Sequence, residues 1–267
     1  MLIAQISDLH ITVKGKKAYG IVATIDNLKR CVTHINRLQP SPDVVLVTGD
    51  ICYSGLAEEA KLAASILDKL NAPYYVISGN HDNRKDIQRE FRSKVCPVED
   101  KRFIHYVIND FPIRLIGMDS THAGQSGGKI CKKRASWLDK QLAKEPQRAT
   151  IIFMHHPPLK LGMLETDEDG FIGADLLASV VKKYSNIKRI LCGHIHRTAV
   201  AQWNGTLVST TASMGMSVVL DLSLQKSSRF FTDEPVYHLH YWSADKTLVT
   251  HTLYVSKHSQ THFFKAI

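Results

Sequence analysis

No apolar run in this 267-residue chain approaches the ~20 residues that a membrane-crossing helix needs, so no spanning segment is expected. The start, Met1-Leu2-Ile3-Ala4-Gln5-Ile6, lacks the basic stretch of an export signal and reaches Asp8 too soon to be one. It reads as a buried first strand, and a cytoplasmic protein is expected. Five cysteines are present, Cys31, Cys52, Cys96, Cys131 and Cys192, an odd number with no pair at C-x-x-C spacing. That excludes a disulfide framework or a thiolate zinc site as the organising principle and leaves reduced thiols. There is no basic stripe interleaved with aromatics and no nucleic-acid module signature, so nucleic acid is not an expected partner. There is also no internal repeat, low-complexity tract or linker. Residues 1–267 therefore read as one domain: 1–200 carry the motifs below, and 201–267 form a β-rich C-terminal part suited to a lid or a subunit contact. An exposed strand edge in that part could pair subunits into a homo-oligomer.

The net charge is +9, and much of the excess lies between Lys101 and Arg148, including Lys129, Lys132, Lys133 and Arg134. This reads as a solvated surface that steers anionic small molecules. The hydrophobic share of 44% is ordinary for a globular chain.

Short apolar runs at 2–7, 44–48 and 74–78 suit strands buried on both faces. Between them lie helical stretches: 24–38, with Ile25, Leu28, Val32, Ile35 and Leu38 on one stripe, and the alanine-rich 57–70. This β-α-β-α-β opening predicts a parallel sheet. Farther on, 103–108 and 113–118 read as strands around a turn at 109–112, and 123–134 as a glycine- and lysine-rich loop. Helices are expected at 136–142 and 174–184, and strands at 150–154, 187–192, 206–211, 216–222, 236–241 and 248–255. The predicted fold is α/β, with two mixed β-sheets packed as a sandwich flanked by helices.

Five motifs follow these strands. Asp8-Leu9-His10 places a carboxylate and an imidazole two apart, on one face of an extended segment. Gly49-Asp50 allows a sharp turn where open α/β sheets bind ligands, although Asp50 could instead cap the segment that follows. Gly79-Asn80-His81-Asp82 gathers an amide, an imidazole and a carboxylate in one turn, and turns favour asparagine and aspartate anyway. In His155-His156-Pro157-Pro158 the prolines stiffen the exit; His155 is the expected ligand and His156 a supporting residue. Gly193-His194-Ile195-His196 again sets two histidines two apart. Jointly the motifs supply seven metal ligands: Asp8, His10, Asp50, Asn80, His155, His194 and His196. Mixed oxygen and nitrogen donors suit iron, zinc or manganese rather than calcium, and a bridging carboxylate would give each of two divalent ions four protein ligands.

The set D-x-H, G-D, G-N-H-D, H and G-H-x-H resembles the calcineurin-like metallophosphoesterase superfamily, with every block in order over residues 8–196. The N-terminal ten residues, Phe153-Met154-His155-His156-Pro157-Pro158-Leu159 and Leu191-Cys192-Gly193-His194-Ile195-His196 resemble its bacterial class III branch of cyclic-nucleotide phosphodiesterases and glycerophosphodiesterases. The resemblance implies the αββα metallophosphoesterase fold. It implies one metal on Asp8, His10, Asp50 and His196, and another on Asp50, Asn80, His155 and His194, bridged by Asp50. The implied activity is hydrolysis of small phosphodiesters by attack of a metal-bridging hydroxide. 3′,5′-Cyclic nucleotides are the first expectation and glycerophosphodiesters the alternative; a nuclease or a non-catalytic scaffold of this fold fits less well. His81 is the candidate catalytic residue, giving a proton or strong hydrogen bond to the leaving alkoxide, with Asp82 expected to orient it. Asn80 and His81 are the candidate substrate-binding residues. His238, His240, His251, His258 and His262 read as surface and β-face histidines, and the aromatic stretch 229–241 as core packing.

Overall fold

The computed structural model describes residues 1–91, 95–98, 102–223, 229–256 and 262, so Lys101 and His258 lie outside the described residues. The first half contains β1 (Leu2–Ile6), α1 (Thr24–Asn36), β2 (Val44–Thr48), α2 (Ala57–Leu67), β3 (Tyr74–Ile77), α3 (Arg84–Glu90), β4 (Tyr106–Ile108), β5 (Arg114–Gly117), β6 (Gly128–Lys129) and α4 (Lys132–Lys144). The second half contains β7 (Thr150–Phe153), α5 (Leu164–Asp169), β8 (Phe171–Ile172), α6 (Ala174–Val181), β9 (Ile187–Cys192) and β10 (Ala199–Trp203). It ends with β11 (Thr206–Thr210), β12 (Met216–Val218), β13 (Phe230–Thr232), β14 (Val236–Trp242) and β15 (Leu248–Tyr254).

Two mixed sheets form the sandwich. Their orders are β15-β14-β1-β2-β3 and β10-β11-β9-β7-β5-β4. Strands β1, β2 and β3 run parallel, as do β5, β7, β9 and β11. The carboxyl ends of β1, β2, β3, β7 and β9 all carry predicted motifs. All five residues of β2 are buried, as expected of a strand covered on both faces. One apolar cluster runs through both sheets and their helices, from Ile3 to Val255. Between the sheets the Gln5 amide donates to the carbonyl of Cys192 at 2.9 Å, and Arg189 donates to Thr250 at 2.9 Å.

The helices pack outside, α1 on α2, α2 on α3 and α4 on α6. In α1 the buried positions Leu28, Cys31, Val32 and Ile35 follow the helical period. It stops at Asn36, two residues short of expectation, because Pro40 and Pro42 oppose helical continuation. Helix α2 is held at its start by Glu59, which is 2% exposed and accepts from the N–H groups of Ser54 and Leu56 at 2.8 and 3.2 Å. It ends at Leu67 rather than 70, where Asn71 and Pro73 turn the chain.

Other expectations change. The strand predicted at 103–108 begins at Tyr106, and that at 216–222 is only Met216–Val218. The loop 123–134 contains β6 and the first turn of α4. Helices α3 and α5 and strands β8, β10 and β13 fall outside the predicted elements; all of these but β10 are short. Arg134, read as solvated surface charge, is 3% exposed and meets Asp119 at 3.3 Å. No helix among the described residues is long and apolar enough to cross a membrane.

Candidate metal centre

Three of the motifs turn sharply at a strand end, and the backbone records it. Asp8, His10, Asp50, His194 and His196 all have positive φ, between 42° and 73°. Non-glycine residues rarely occupy this region, and where they do the surrounding structure compensates the strain, most often at functional sites. The glycines before the ligands permit close approach. A Cβ on Gly79 would overlap the Asp50 carboxylate, and one on Gly193 would overlap Ser7 and Asp8. The first two motif loops run side by side, with the Asp8 N–H donating to Gly49 O and the His10 N–H to Asp50 O, both at 3.0 Å.

The structure brings all seven predicted ligand side chains together, in two overlapping groups. In the first, Asp8, His10, Asp50 and His196 each place a donor atom within 4.8 Å of the others. His10 Nε2 lies 3.0 Å from His196 Nε2, and His196 Nε2 lies 3.4 Å from Asp8 Oδ1. In the second, Asn80 Oδ1 lies 3.1 Å from both His155 Nε2 and His194 Nδ1. Asp50 Oδ2 joins them, 3.3 Å from His155 Nε2 and 3.8 Å from His10 Nε2. The other Asp50 oxygen accepts the N–H of His81 at 2.9 Å, which aims Oδ2 at the cluster.

The electrostatics fit a cation. Burial pushes the Asp8 carboxyl upward, but His196 beside it outweighs this and holds it below the usual carboxylate range. Asp50 is held well below that range, burial being outweighed by His155. Burial lowers His155, but the charge of Asp50 lifts it to about 9. His10 is pushed down to about 3, by burial first and by His196 second, so its imidazole is neutral and its lone pair available. Charged carboxylates, a neutral amide and converging imidazole nitrogens, with Asp8, His10, Asp50 and His155 buried and Asn80, His194 and His196 half-buried, form a donor set suited to divalent transition metals. The residues present therefore fit such ions.

The surroundings refine several expectations. His156 also sits within reach of His155 and His194. Its nitrogens are engaged elsewhere, Nδ1 with the Ser120 hydroxyl at 2.9 Å and Nε2 with the Ser126 carbonyl at 3.0 Å, so its place is supporting. His81 Nδ1 donates to the Tyr53 carbonyl at 2.7 Å, and its ring lies 4.7 Å from that of His10. Asp82 does not orient that ring. Its carboxylate accepts the N–H groups of Ile51, Cys52 and Gly79 at 3.1, 2.8 and 2.8 Å, locking two motif turns together, while burial and then Asp50 raise it to about 6.

Sequence reasoning missed Tyr53, Tyr19 and Asp169. Tyr53 stacks toward His81 at 6.5 Å, Tyr19 stands on Tyr53, and Phe230 of β13 tilts against Tyr19 at 5.1 Å. The β12–β13 ribbon thus reaches the rim of the site. Asp169 Oδ2 lies 3.6 Å from His194 Nε2. None of these residues belongs to a recognisable motif; the only signal was the closeness of Tyr53 to Asp50 in sequence. In the stretch 229–241, Tyr237 is core, but Phe231 and Tyr241 are 52% and 44% exposed. His238 and His240 are not on the surface; they are buried between the sheets, whereas His251 is exposed.

A groove of about 700 Å³ opens beside Asn80 and His81, lined also by Arg84, Lys85, Arg102 and His122. A larger hollow, near Met1 and Trp242, lies at the other end of the strands and touches no ligand candidate.

Residues 1–198 match the calcineurin-like phosphoesterase family. Over 258 residues the chain is 42% identical to a probable glycerophosphodiester phosphodiesterase of Arcobacter nitrofigilis, covering 96% of this chain and 94% of that one. It is 28% identical to the 3′,5′-cyclic adenosine monophosphate phosphodiesterase of Escherichia coli K12, over 79% of this chain and 75% of that one. In fold it is similar to a dimetal phosphatase from Danio rerio, with TM-score 0.69, 14% identity and coverage of 96% and 99%. Motif turns at the ends of parallel strands, a fold shared with a solved dimetal phosphatase and a family match over most of its length lead to one conclusion: this chain belongs to the calcineurin-like phosphoesterase family.

Proposed function

We propose that this phosphoesterase hydrolyses small phosphodiesters at a two-metal centre and that glycerophosphodiesters are its preferred substrates. Asp8, His10, Asp50 and His196 would hold one divalent cation, and Asp50, Asn80, His155 and His194 the other. The observation that carries this reading is the place of Asp50 Oδ2, one buried oxygen between His10 and His155 and so between two donor sets. Iron, zinc and manganese all suit these ligands. Two such ions would lower the pKa of a shared water and neutralise phosphoryl oxygens.

The chain's own residues supply the rest. Asn80 is neutral, so it can ligate without cancelling positive charge that the phosphodiester needs. His81 keeps one proton on Nδ1, bound to the Tyr53 carbonyl, and in its imidazolium form presents the second, on Nε2, to the departing oxygen. The fixed Nδ1 contact sets the ring plane, so no reorientation is needed at the moment of transfer. The groove beside Asn80 and His81 has room for the alcohol portion of the diester. Residues 1–267 act as one catalytic domain in this reading, which is supported by the single apolar cluster that holds described residues from Ile3 to Val255.

The choice of diester departs from the first expectation of a cyclic nucleotide. The relative named for glycerophosphodiesters matches at 42% identity across almost the whole chain, and the one named for cyclic AMP at 28% over less of it. The test is kcat/KM for glycerophosphoethanolamine against cyclic AMP, with enzyme reconstituted in manganese, zinc and iron. A higher value for glycerophosphoethanolamine is expected in every active form. A clear preference for cyclic AMP would restore the cyclic nucleotide as substrate.

A further inference from the structure

We infer that Asp169 is a positioning residue for the second donor set: through His194 it supplies the negative charge that Asn80 leaves out. The inference rests on the two-metal reading above and concerns only this chain's own side chains.

The two donor sets are unequal. The first contains Asp8 and shares Asp50; the second shares Asp50 and otherwise has an amide and two imidazoles. The outer nitrogens of the imidazoles differ too. His10 Nδ1 is buried without a partner. His155 Nδ1 faces the backbone carbonyl of Thr48 at 2.8 Å. Among the described residues, His194 is the one ligand imidazole whose outer nitrogen faces a carboxylate: Nδ1 points to Asn80 Oδ1 at 3.1 Å and Nε2 to Asp169 Oδ2 at 3.6 Å. A carboxylate there keeps the proton on Nε2, holds the Nδ1 lone pair toward the centre and makes the imidazole a stronger donor.

Asp169 is placed for this by more than chance. It ends α5, and its Oδ1 accepts the Ser126 hydroxyl at 2.5 Å. The Ser126 carbonyl is itself held by His156 Nε2 at 3.0 Å. The Gly128 N–H donates to Gly170 O at 3.0 Å, and β6 pairs with β8, so the backbone on both sides is stapled. A Cβ on Gly127 would overlap the Asp169 carbonyl, which shows how closely the two segments pack. The Asp169 side chain is 31% exposed.

The test is titration of metal-free protein with cobalt(II), followed by calorimetry and visible absorption. Wild type taking up two equivalents is the premise; a single equivalent would sink the two-metal reading itself. With Asp169→Asn the first equivalent should bind as in wild type. The second should weaken by about 10- to 100-fold with an altered absorption band, the usual cost of losing such a partner. Asp169→Glu should recover much of the loss, and Ser126→Ala, which keeps the carboxylate, should lose less than Asp169→Asn. Asp169→Ala carries the same comparison should the asparagine variant not fold. Unchanged binding of the second equivalent, equal weakening of both, or an equal loss in Ser126→Ala would each overturn the assignment.

Discussion

A carboxylate that is 2% exposed stays charged only where neighbours compensate it, and Asp50 has such neighbours on both sides. Asp50→Ala should therefore release both metals, whereas Asn80→Ala, whose Oδ1 meets His155 and His194, should release one. Elemental analysis after dialysis distinguishes the two. The accompanying fall in turnover for Asp50→Ala should be about 10³-fold or more, since bound metals contribute several kcal/mol at the transition state. His81 makes a different prediction because it is no ligand in this reading. His81→Ala should keep both metals and lose roughly 10²- to 10⁴-fold in turnover on an alkyl diester. On a p-nitrophenyl diester the loss should be much smaller, as that leaving group needs no proton. Equal losses on both substrates would remove the proton-donating role. The ligand motifs were legible in the sequence because the spacing of Asp8 to His10 and of His194 to His196 is a local property of a strand end. Asp169, Tyr53 and the Tyr53 carbonyl behind His81 were not, since their relation to the site exists only after distant loops are folded together.

At the scale of elements, the site depends on loops being pinned to the strands that carry them. Asp119 follows β5, is fully buried and takes a bidentate contact from Arg84, at the start of α3, at 2.6 and 2.9 Å. Arg134 of α4 donates to the same carboxylate at 3.3 Å and packs over Phe103. The turn that bears Asn80 and His81 runs directly into Arg84, so this brace ties it to the second sheet. Burial pushes the Asp119 carboxyl up, but the Arg84 hydrogen bonds outweigh it and hold it below the ordinary carboxylate range. A folded pKa below the unfolded one means stability that is present above the unfolded pKa and lost as pH falls through the folded one. Asp119→Ala should cost about 3–5 kcal/mol, because it strands the buried Arg134 charge. Urea unfolding measures it; a loss under about 1 kcal/mol would show that the brace is dispensable. The strands β1, β2, β3, β7 and β9 were legible as continuous apolar runs, and α1 from its stripe. The short helices α3 and α5 were not, because a turn or two of helix at a surface is decided by capping and docking, such as the Asn83 side chain accepting from Lys85 N, rather than by periodicity.

At the scale of the whole molecule, the two sheets meet through a polar layer as well as an apolar one. Gln5 joins Cys192, Thr48 and His240, while Thr250 joins His240 and Arg189. Alternation along β14 showed that His238 and His240 share a face, but not that this face looks inward; only the second sheet, built from residues far along the chain, decides that. Burial first, and Arg189 second, push His238 down to about 4. In the unfolded chain the same imidazole titrates near ~6.5. Between those values the unfolded state binds more protons, so stability is intact above the unfolded pKa and falls as the pH drops toward the folded one. The loss should be about 2 kcal/mol between pH 7 and pH 5 for this residue and about 3 kcal/mol at its limit. His238→Gln cannot take up that proton. In urea unfolding of metal-free protein, the wild type should lose about 2 kcal/mol more than the variant over this interval. Parallel curves would mean that His238 is protonated without strain, and that the sheets can separate enough to hydrate it while the sandwich remains folded.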